Sequence, residues 1–311
     1  MIKMKRRDFT LAAFLISGVL FFPLSSFAAE PASPEWNPFS PGPITTQPVL
    51  CPKGRFMVQP YIFYNHTRGA FNSEGHYKAL PAGQVKDQYA EQLYLQYGIT
   101  EQMDVDVFIN YQQNYAKQDG LKARDNGVGD SFLWLRYRAF EEKGALPTIT
   151  GLFQLKIPSG KFQHADPNKL GTDLTGDISG GGAWAPGFGI SLIKKIKPFI
   201  LYFDTIYSFP QNVSIDDDKA RYGNFLNIDG AVEYILPKGF NLLLEVNGFL
   251  QGDTRQRGSR APATDVKYLT VIPGLGWSCP ELQVVLAYQR VAIGTNANAN
   301  DSVVLTFMHT F

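Results

Sequence analysis

Apolar and polar side chains alternate along residues 240–251, FNLLLEVNGFLQ. The apolar positions are Phe240, Leu242, Leu244 and Val246, and the polar positions are Asn241, Glu245, Asn247 and Gln251. A period of two places successive side chains on opposite faces. This stretch therefore predicts a β-strand with one apolar and one polar face.

The same pattern recurs along the chain, with no convincing amphipathic helix between its copies. Twelve candidate strands lie near 55–66, 88–98, 103–114, 129–140, 147–158, 180–194, 198–208, 224–236, 240–251, 265–277, 282–292 and 300–311. Short connections lie near 99–102, 141–146, 195–197, 237–239 and 278–281. Long connections alternate with them, near 67–87, 115–128, 159–179, 209–223, 252–264 and 293–299.

Alternating short and long connections are typical of outer-membrane barrels, which have short periplasmic turns and long extracellular loops. Strands of about ten residues cross a bilayer at a tilt. Lipid leaves no partner for free backbone groups, so such a sheet has to close. The sequence therefore predicts an all-β fold, a transmembrane antiparallel up-and-down β-barrel of about 12 strands.

The last strand carries a further sign of a barrel. Its alternate positions are Val303, Leu305, Phe307, His309 and Phe311. An apolar face ending on an aromatic residue is similar to the C-terminal signal that barrel-assembly machinery reads. We assign that signal to Leu305, Phe307 and Phe311, and we interpret His309 as a residue of the membrane rim.

The amino-acid composition and the N-terminal residues limit the kinds of protein that this chain could be. The formal net charge of +1 excludes a nucleic-acid binder that relies on bulk electrostatics. The basic head at residues 3–7, the apolar run 9–22 and the small residues before Ala29 predict a cleaved signal peptide, 1–28. A membrane anchor is the alternative, but the run is shorter than the roughly 20 residues that a span needs. A Pro-rich periplasmic leader, 29–54, and the barrel, 55–311, would follow in the outer membrane of a Gram-negative cell.

The two cysteines fall at one end of this arrangement. Cys51 precedes the first strand, and Cys279 lies in a predicted periplasmic turn. Closure of the barrel would place the two sites about 14 Å apart, a distance that the last residues of the leader can span. We predict a disulfide between them, with two free thiols as the alternative.

Three motifs carry a resemblance to a family. The chain has LYLQYGITEQMDVDV at 93–107, NGVGDSFLWLRYR at 126–138 and LKIPSGK at 155–161. These resemble the "YGLT" turn, the "GxGD" strand start and the "lPTG"-like strand end of the outer-membrane proteins grouped as the MetA-pathway of phenol degradation family. Ser159 stands where that family usually has Thr. The resemblance implies a transporter-like barrel that passes small, hydrophobic or aromatic molecules.

The inward faces hold the candidate site residues. Predicted lumen charges are Asp104, Asp106, Arg136, Arg138, Lys156, Asp204, Asp229, Glu233 and Glu245. One antiparallel register would pair 104 with 138 and 106 with 136. These charges either satisfy one another in a narrow barrel or line a polar path. Tyr61 and Phe63 are candidate ligand-path aromatics, although the default role of such residues is the aromatic girdle.

The resulting hypothesis is a passive channel for a small-molecule solute, gated by loops, that needs no catalytic residue, cofactor or metal. Its other partners would be outer-membrane lipid and the assembly machinery. One alternative is an outer-membrane lipid hydrolase or acyltransferase that uses His66, His76 or His164 of the long loops. No serine stands beside these histidines in a recognisable motif. The other alternative is a structural or adhesive barrel.

Overall fold

The computed structural model describes residues 44, 49–118, 120–160, 181–215, 218–279 and 282–311. The predicted signal peptide, most of the leader and His164 lie outside these residues. Within them no helix is long and apolar enough to cross a bilayer.

Eighteen strands are present in the described residues. They are β1 (Phe56–Phe71), β2 (Tyr77–Ala79), β3 (Val85–Thr100), β4 (Met103–Gln118), β5 (Leu121–Val128), β6 (Ser131–Phe140), β7 (Thr148–Ile157), β8 (Ala185–Ile196), β9 (Phe199–Ser208), β10 (Val213–Ile215), β11 (Asp218–Arg221), β12 (Phe225–Ile235), β13 (Phe240–Gln251), β14 (Arg255–Gln256), β15 (Ser259–Arg260), β16 (Val266–Ser278), β17 (Leu282–Thr295) and β18 (Ala297–Thr310). A 3-10 turn, Pro237–Gly239, joins β12 to β13.

Twelve of these strands form a closed ring. Their order is β1, β3, β4, β6, β7, β8, β9, β12, β13, β16, β17 and β18. Antiparallel pairing of β18 with β1, from Met57↔Thr310 to Phe71↔Ala297, closes the ring. The predicted all-β antiparallel barrel is thus confirmed, and β13 has the predicted bounds, 240–251.

The alternation places the two faces as predicted. In β13, Leu242 and Leu244 are 49% and 48% exposed on the outer face, whereas Glu245 is fully buried towards the lumen. An apolar outer wall around a polar lumen is the arrangement of membrane-spanning barrels.

Two of the segments predicted as long connections consist mainly of β-strand, because the flanking strands extend into them. β5 pairs with the distal half of β4, from Tyr111↔Val128 to Gln118↔Leu121, so the region 115–128 is a hairpin and not a loop. Between β17 and β18 the connection is the single residue Asn296, with φ of 50°. Both segments lie beyond the apolar belt, where alternation no longer marks a strand.

Two other predicted long loops also contain strands. β10 and β11 lie between β9 and β12, and β14 and β15 lie between β13 and β16. β11 pairs with β14, which joins the two hairpins into one four-stranded sheet at the long-loop end.

Candidate functional site: the barrel lumen

A buried ionic cluster occupies the lower lumen, near the short-turn end. The Arg136 Nη2 and Nε atoms lie 2.6 and 2.9 Å from the two oxygens of Asp104. The same Nε lies 2.8 Å from an oxygen of Asp106. All three side chains are at most 1% exposed. A guanidinium between two carboxylates satisfies charges that would otherwise be costly to bury.

The register of this cluster differs from the predicted one. Asp104 stands opposite Arg136 and Asp106 opposite Trp134, so the strands are offset by two residues from the expected pairing. Arg138 is consequently not a lumen charge of the ladder. It lies at the short-turn rim, where it donates to the Glu101 carbonyl at 2.7 Å and approaches Glu141 at 3.8 Å.

The end of the leader lies inside the ring and is held by these charges. The Cys51 N–H donates to Asp104 at 2.7 Å, and Arg136 donates to the Val49 carbonyl at 3.1 Å. Higher in the lumen, the Ile44 N–H donates to Glu245 at 2.6 Å. Barrel side chains thus satisfy backbone groups of the leader, and the ionic cluster serves as its anchor.

Gly98 lets the leader pass along the barrel wall. A Cβ atom at this position would clash with the Pro52 carbonyl oxygen and would lie 2.6 Å from that of Cys51. The Gly98 carbonyl also accepts a hydrogen bond from Gly54 N–H at 2.8 Å. This glycine belongs to the YGIT motif at 97–100, so the motif supplies the surface on which the leader rests.

The predicted disulfide is absent, because Cys51 and Cys279 are both free thiols. Cys51 is drawn into the lumen with the leader, where it packs against Met57 and Met308. Its Sγ donates to the Arg55 carbonyl at 3.3 Å. Cys279 remains half-buried beside the β16–β17 turn.

The thiols should therefore react with alkylating reagents in the folded barrel without prior reduction, Cys279 faster than Cys51. Burial raises the pKa of the Cys51 thiol, which lowers its reactive thiolate fraction near neutral pH. Mass mapping under non-reducing conditions measures both rates. Recovery of a disulfide-linked peptide containing Cys51 and Cys279 would contradict the expectation.

The remaining predicted acidic residues form one wall of the lumen, on β9, β12 and β13. Asp204 stands directly opposite Asp229, and both are at most 4% exposed. Asn247 donates to Asp229 at 3.3 Å. Glu233 lies lower, where it accepts from the Tyr202 hydroxyl at 2.8 Å and from Asn241.

A cavity of about 730 Å³ lies above the leader. One part of its wall is aromatic and comprises Tyr61, Phe63, Tyr94, Phe108, Phe132 and Trp134. Tyr94, Phe108 and Phe132 form a run of edge-on contacts, with ring centroids 6.3 and 5.8 Å apart. Asp204, Asp229 and Asn247 also line the cavity, and Ile44 of the leader contributes to its lining. The predicted aromatic pair, Tyr61 and Phe63, thus lies at the cavity.

Sequence reasoning missed one lumen charge, Asp130. Lys156 lies in the cavity lining, with its Nζ 2.6 Å from an Asp130 oxygen. The Gly181 N–H donates to the same carboxylate at 2.8 Å. Asp130 is the last residue of the NGVGD motif, so the motif itself was the available signal.

The ladder of the wall is interrupted between β17 and β18. Their ladder ends at Arg290↔Asp301, and beyond this pair β17 bonds to β16 and β18 to β1. Phe71 packs there with Val291 and Ala299, and Arg68 donates to the Val291 carbonyl at 2.6 Å. Side chains of β1 therefore fill the opening.

Three of the four histidines, His66, His76 and His309, lie within the described residues. His66 Nδ1 lies 2.7 Å from Asp87, but no described hydroxyl group hydrogen-bonds to the ring. His76 faces Glu74 at 3.4 Å, and the His309 ring contacts Phe311. In the same part of the chain, no cluster of three His, Cys, Asp or Glu side chains could hold a metal ion.

The chain is similar to a described family and to solved protein structures. The family model described as "Putative MetA-pathway of phenol degradation" matches residues 83–307, which is more than two thirds of the chain. The COG4313 outer membrane channel from Pseudomonas putida F1 superposes with a TM-score of 0.68 at 15% identity, covering 84% of this chain and 96% of that one. The translocator domain of the autotransporter NalP from Neisseria meningitidis gives a TM-score of 0.45 at 10% identity, covering 83% and 88%.

Proposed function

Because the chain belongs to the family described as Putative MetA-pathway of phenol degradation, we propose that it is an outer-membrane channel for passive uptake of small apolar or aromatic molecules. The observation that carries the proposal is the cavity of about 730 Å³ inside a closed barrel, with its aromatic wall. Ligand sites are typically concave and mostly apolar, with a few polar groups that fix orientation.

Each part of the lumen has a role in this proposal. The aromatic run Tyr94–Phe108–Phe132 offers ring faces and edges to an apolar solute. The polar groups opposite keep the cavity hydrated and accept hydrogen bonds from a hydroxylated solute. The anchored leader narrows the route below, so passage requires the leader to shift or the solute to slip past it.

The channel test reconstitutes the protein in planar bilayers and assays lipid turnover on the same sample. We expect discrete conductance steps and no turnover, with unchanged results for His66→Gln. Turnover that is lost in His66→Gln would favour the lipid hydrolase or acyltransferase instead. Migration that is faster before boiling than after boiling on a denaturing gel reports the folded barrel independently.

The cavity should bind an uncharged aromatic probe through Phe108. In a background carrying Trp36→Phe, Trp184→Phe and Trp277→Phe, energy transfer from Trp134, which lines the cavity, to N-phenyl-1-naphthylamine reports binding in reconstituted membranes. Phe108→Gln should weaken binding about tenfold, since it removes roughly the burial energy of one aromatic ring. Phe108→Tyr, which retains the ring, should bind nearly as well as the unmodified protein. Equal binding by both variants would mean that the solute lies elsewhere.

A further inference from the structure

Aromatic side chains surround the outer wall at the short-turn end. They are Phe56, Tyr97, Tyr137, Phe140, Phe199, Tyr234, Phe240 and Trp277, and each is at least 37% exposed. Several face one another across adjacent strands, as in Phe199↔Tyr234 and Phe240↔Trp277. Aromatic rings in this position mark the level of the membrane–water interface.

Exposed cations follow immediately beyond these rings. Lys143, Lys197 and Lys238 lie in three different short turns and are all exposed. Lys197 is two residues from Phe199, and Lys238 is two residues from Phe240. A lysine stem can extend along the apolar surface and place its ammonium group at the level of lipid headgroups.

The balance of charge at this end is strongly positive within the described residues. The cations are Lys53, Arg55, Arg138, Lys143, Lys194, Lys195, Lys197 and Lys238, and the carboxylates are Glu101, Glu141 and Glu142. One of these carboxylates, Glu142, forms an ion pair with Lys194, whose Nζ lies 2.8 Å from a Glu142 oxygen. Lys143 and Lys238 make no ion pair within the described part of the chain.

Near the aromatic belt of the long-loop end, three cations pair with carboxylates of the protein. Arg68 and Arg290 share Asp301 at 2.8 and 3.8 Å. Lys267 lies 2.7 Å from Asp265. At the short-turn end, by contrast, the exposed aromatic rings adjoin a set of cations that outnumbers the carboxylates of the described residues there.

We propose that the cations of the short-turn end form a binding surface for anionic phospholipid headgroups of the adjoining leaflet. The inference rests on the membrane location proposed above. Charge complementarity identifies the occupant, since clustered Lys and Arg at an interface attract anionic lipid. The neighbouring aromatic rings place these cations at headgroup depth, which favours a lipid over a soluble acidic protein.

The experiment compares vesicles of phosphatidylcholine with vesicles that also contain phosphatidylglycerol. The measurement is the temperature at which unboiled protein loses its folded gel mobility, together with bound lipid counted by native mass spectrometry. Phosphatidylglycerol should raise this temperature for the unmodified protein. The triple variant Lys143→Gln, Lys197→Gln, Lys238→Gln should lose most of the increase and bind phosphatidylglycerol more than about tenfold more weakly.

A matched triple variant, Lys78→Gln, Lys122→Gln, Lys219→Gln, removes the same charge from exposed lysines of the long-loop end. It should retain the response, as should Lys→Arg replacements at 143, 197 and 238. Equal loss in both glutamine triples, or full retention in the first, would overturn the proposal. If the unmodified protein does not insert into either vesicle, the membrane location itself fails, which is a separate result.

Discussion

Arg136→Met should lower the free energy of unfolding by about 3–5 kcal/mol, because it leaves two carboxylates buried without their cation. The side chains of Asp104 and Asp106 are fully buried, so water cannot replace the guanidinium. The midpoint of urea unfolding, followed by the loss of folded gel mobility, measures the effect.

Arg138→Met is the matched control, since it removes the same group two residues along the same strand. Its partner Glu141 is largely exposed, so the cost should be no more than about 1 kcal/mol. The triple variant Arg136→Met, Asp104→Asn, Asp106→Asn removes all three charges and should recover part of the loss. Equal effects of the two single variants would contradict the observed register.

Gly98→Ala should raise single-channel conductance about twofold or more, because it expels the leader from a bore that twelve strands otherwise leave partly open. The added methyl group would meet the backbone carbonyls of Pro52 and Cys51, which cannot rotate away as a side chain can. Bilayer recordings measure the change.

Gly230→Ala is the control for this substitution, because nothing lies within 4 Å of a Cβ at that position of β12. Conductance should stay at the unmodified level in this variant. The rate of Cys51 alkylation gives a second readout, since a displaced leader exposes a thiol that is now 2% exposed. Higher conductance with an unchanged alkylation rate would show that the leader stays in place and that the reasoning is wrong.

The membrane-spanning strands could be predicted because their side chains alternate between an apolar outer face and a polar face towards the lumen. In β13 the alternate residues Phe240, Leu242, Leu244 and Val246 are apolar, and this period indicates both the strand and its outer face. The distal parts of β4, β17 and β18 were missed or shortened for the converse reason. In those parts both faces of the sheet have polar surroundings. Polar residues such as Lys117 and Asn298 therefore occur there without an apolar/polar alternation.

The register of β4 against β6 could not be predicted from charge alone. By alternation, positions 136 and 138 fall on the same face of β6, so either arginine could oppose Asp104 without changing which residues face the lumen. The difference lies in depth, because Arg138 reaches the rim while Arg136 stays fully buried. The position of the leader in the lumen could not be predicted either. It depends on hydrogen bonds to the backbone groups of Val49 and Cys51, and such groups do not distinguish one residue type from another.

The path of the leader also constrains the order of assembly. The leader precedes β1 directly, and the seam that seals the ring is the ladder between β1 and β18. While the sheet is still open, the leader can approach from the side and form its hydrogen bonds with Asp104 and Arg136. Once β1 has paired with β18, the leader can enter the lumen only through an open end of the barrel. We therefore expect the hydrogen bonds of Asp104 and Arg136 to the leader to form before β1 pairs with β18, so that the ionic cluster orders assembly as well as supporting the finished wall.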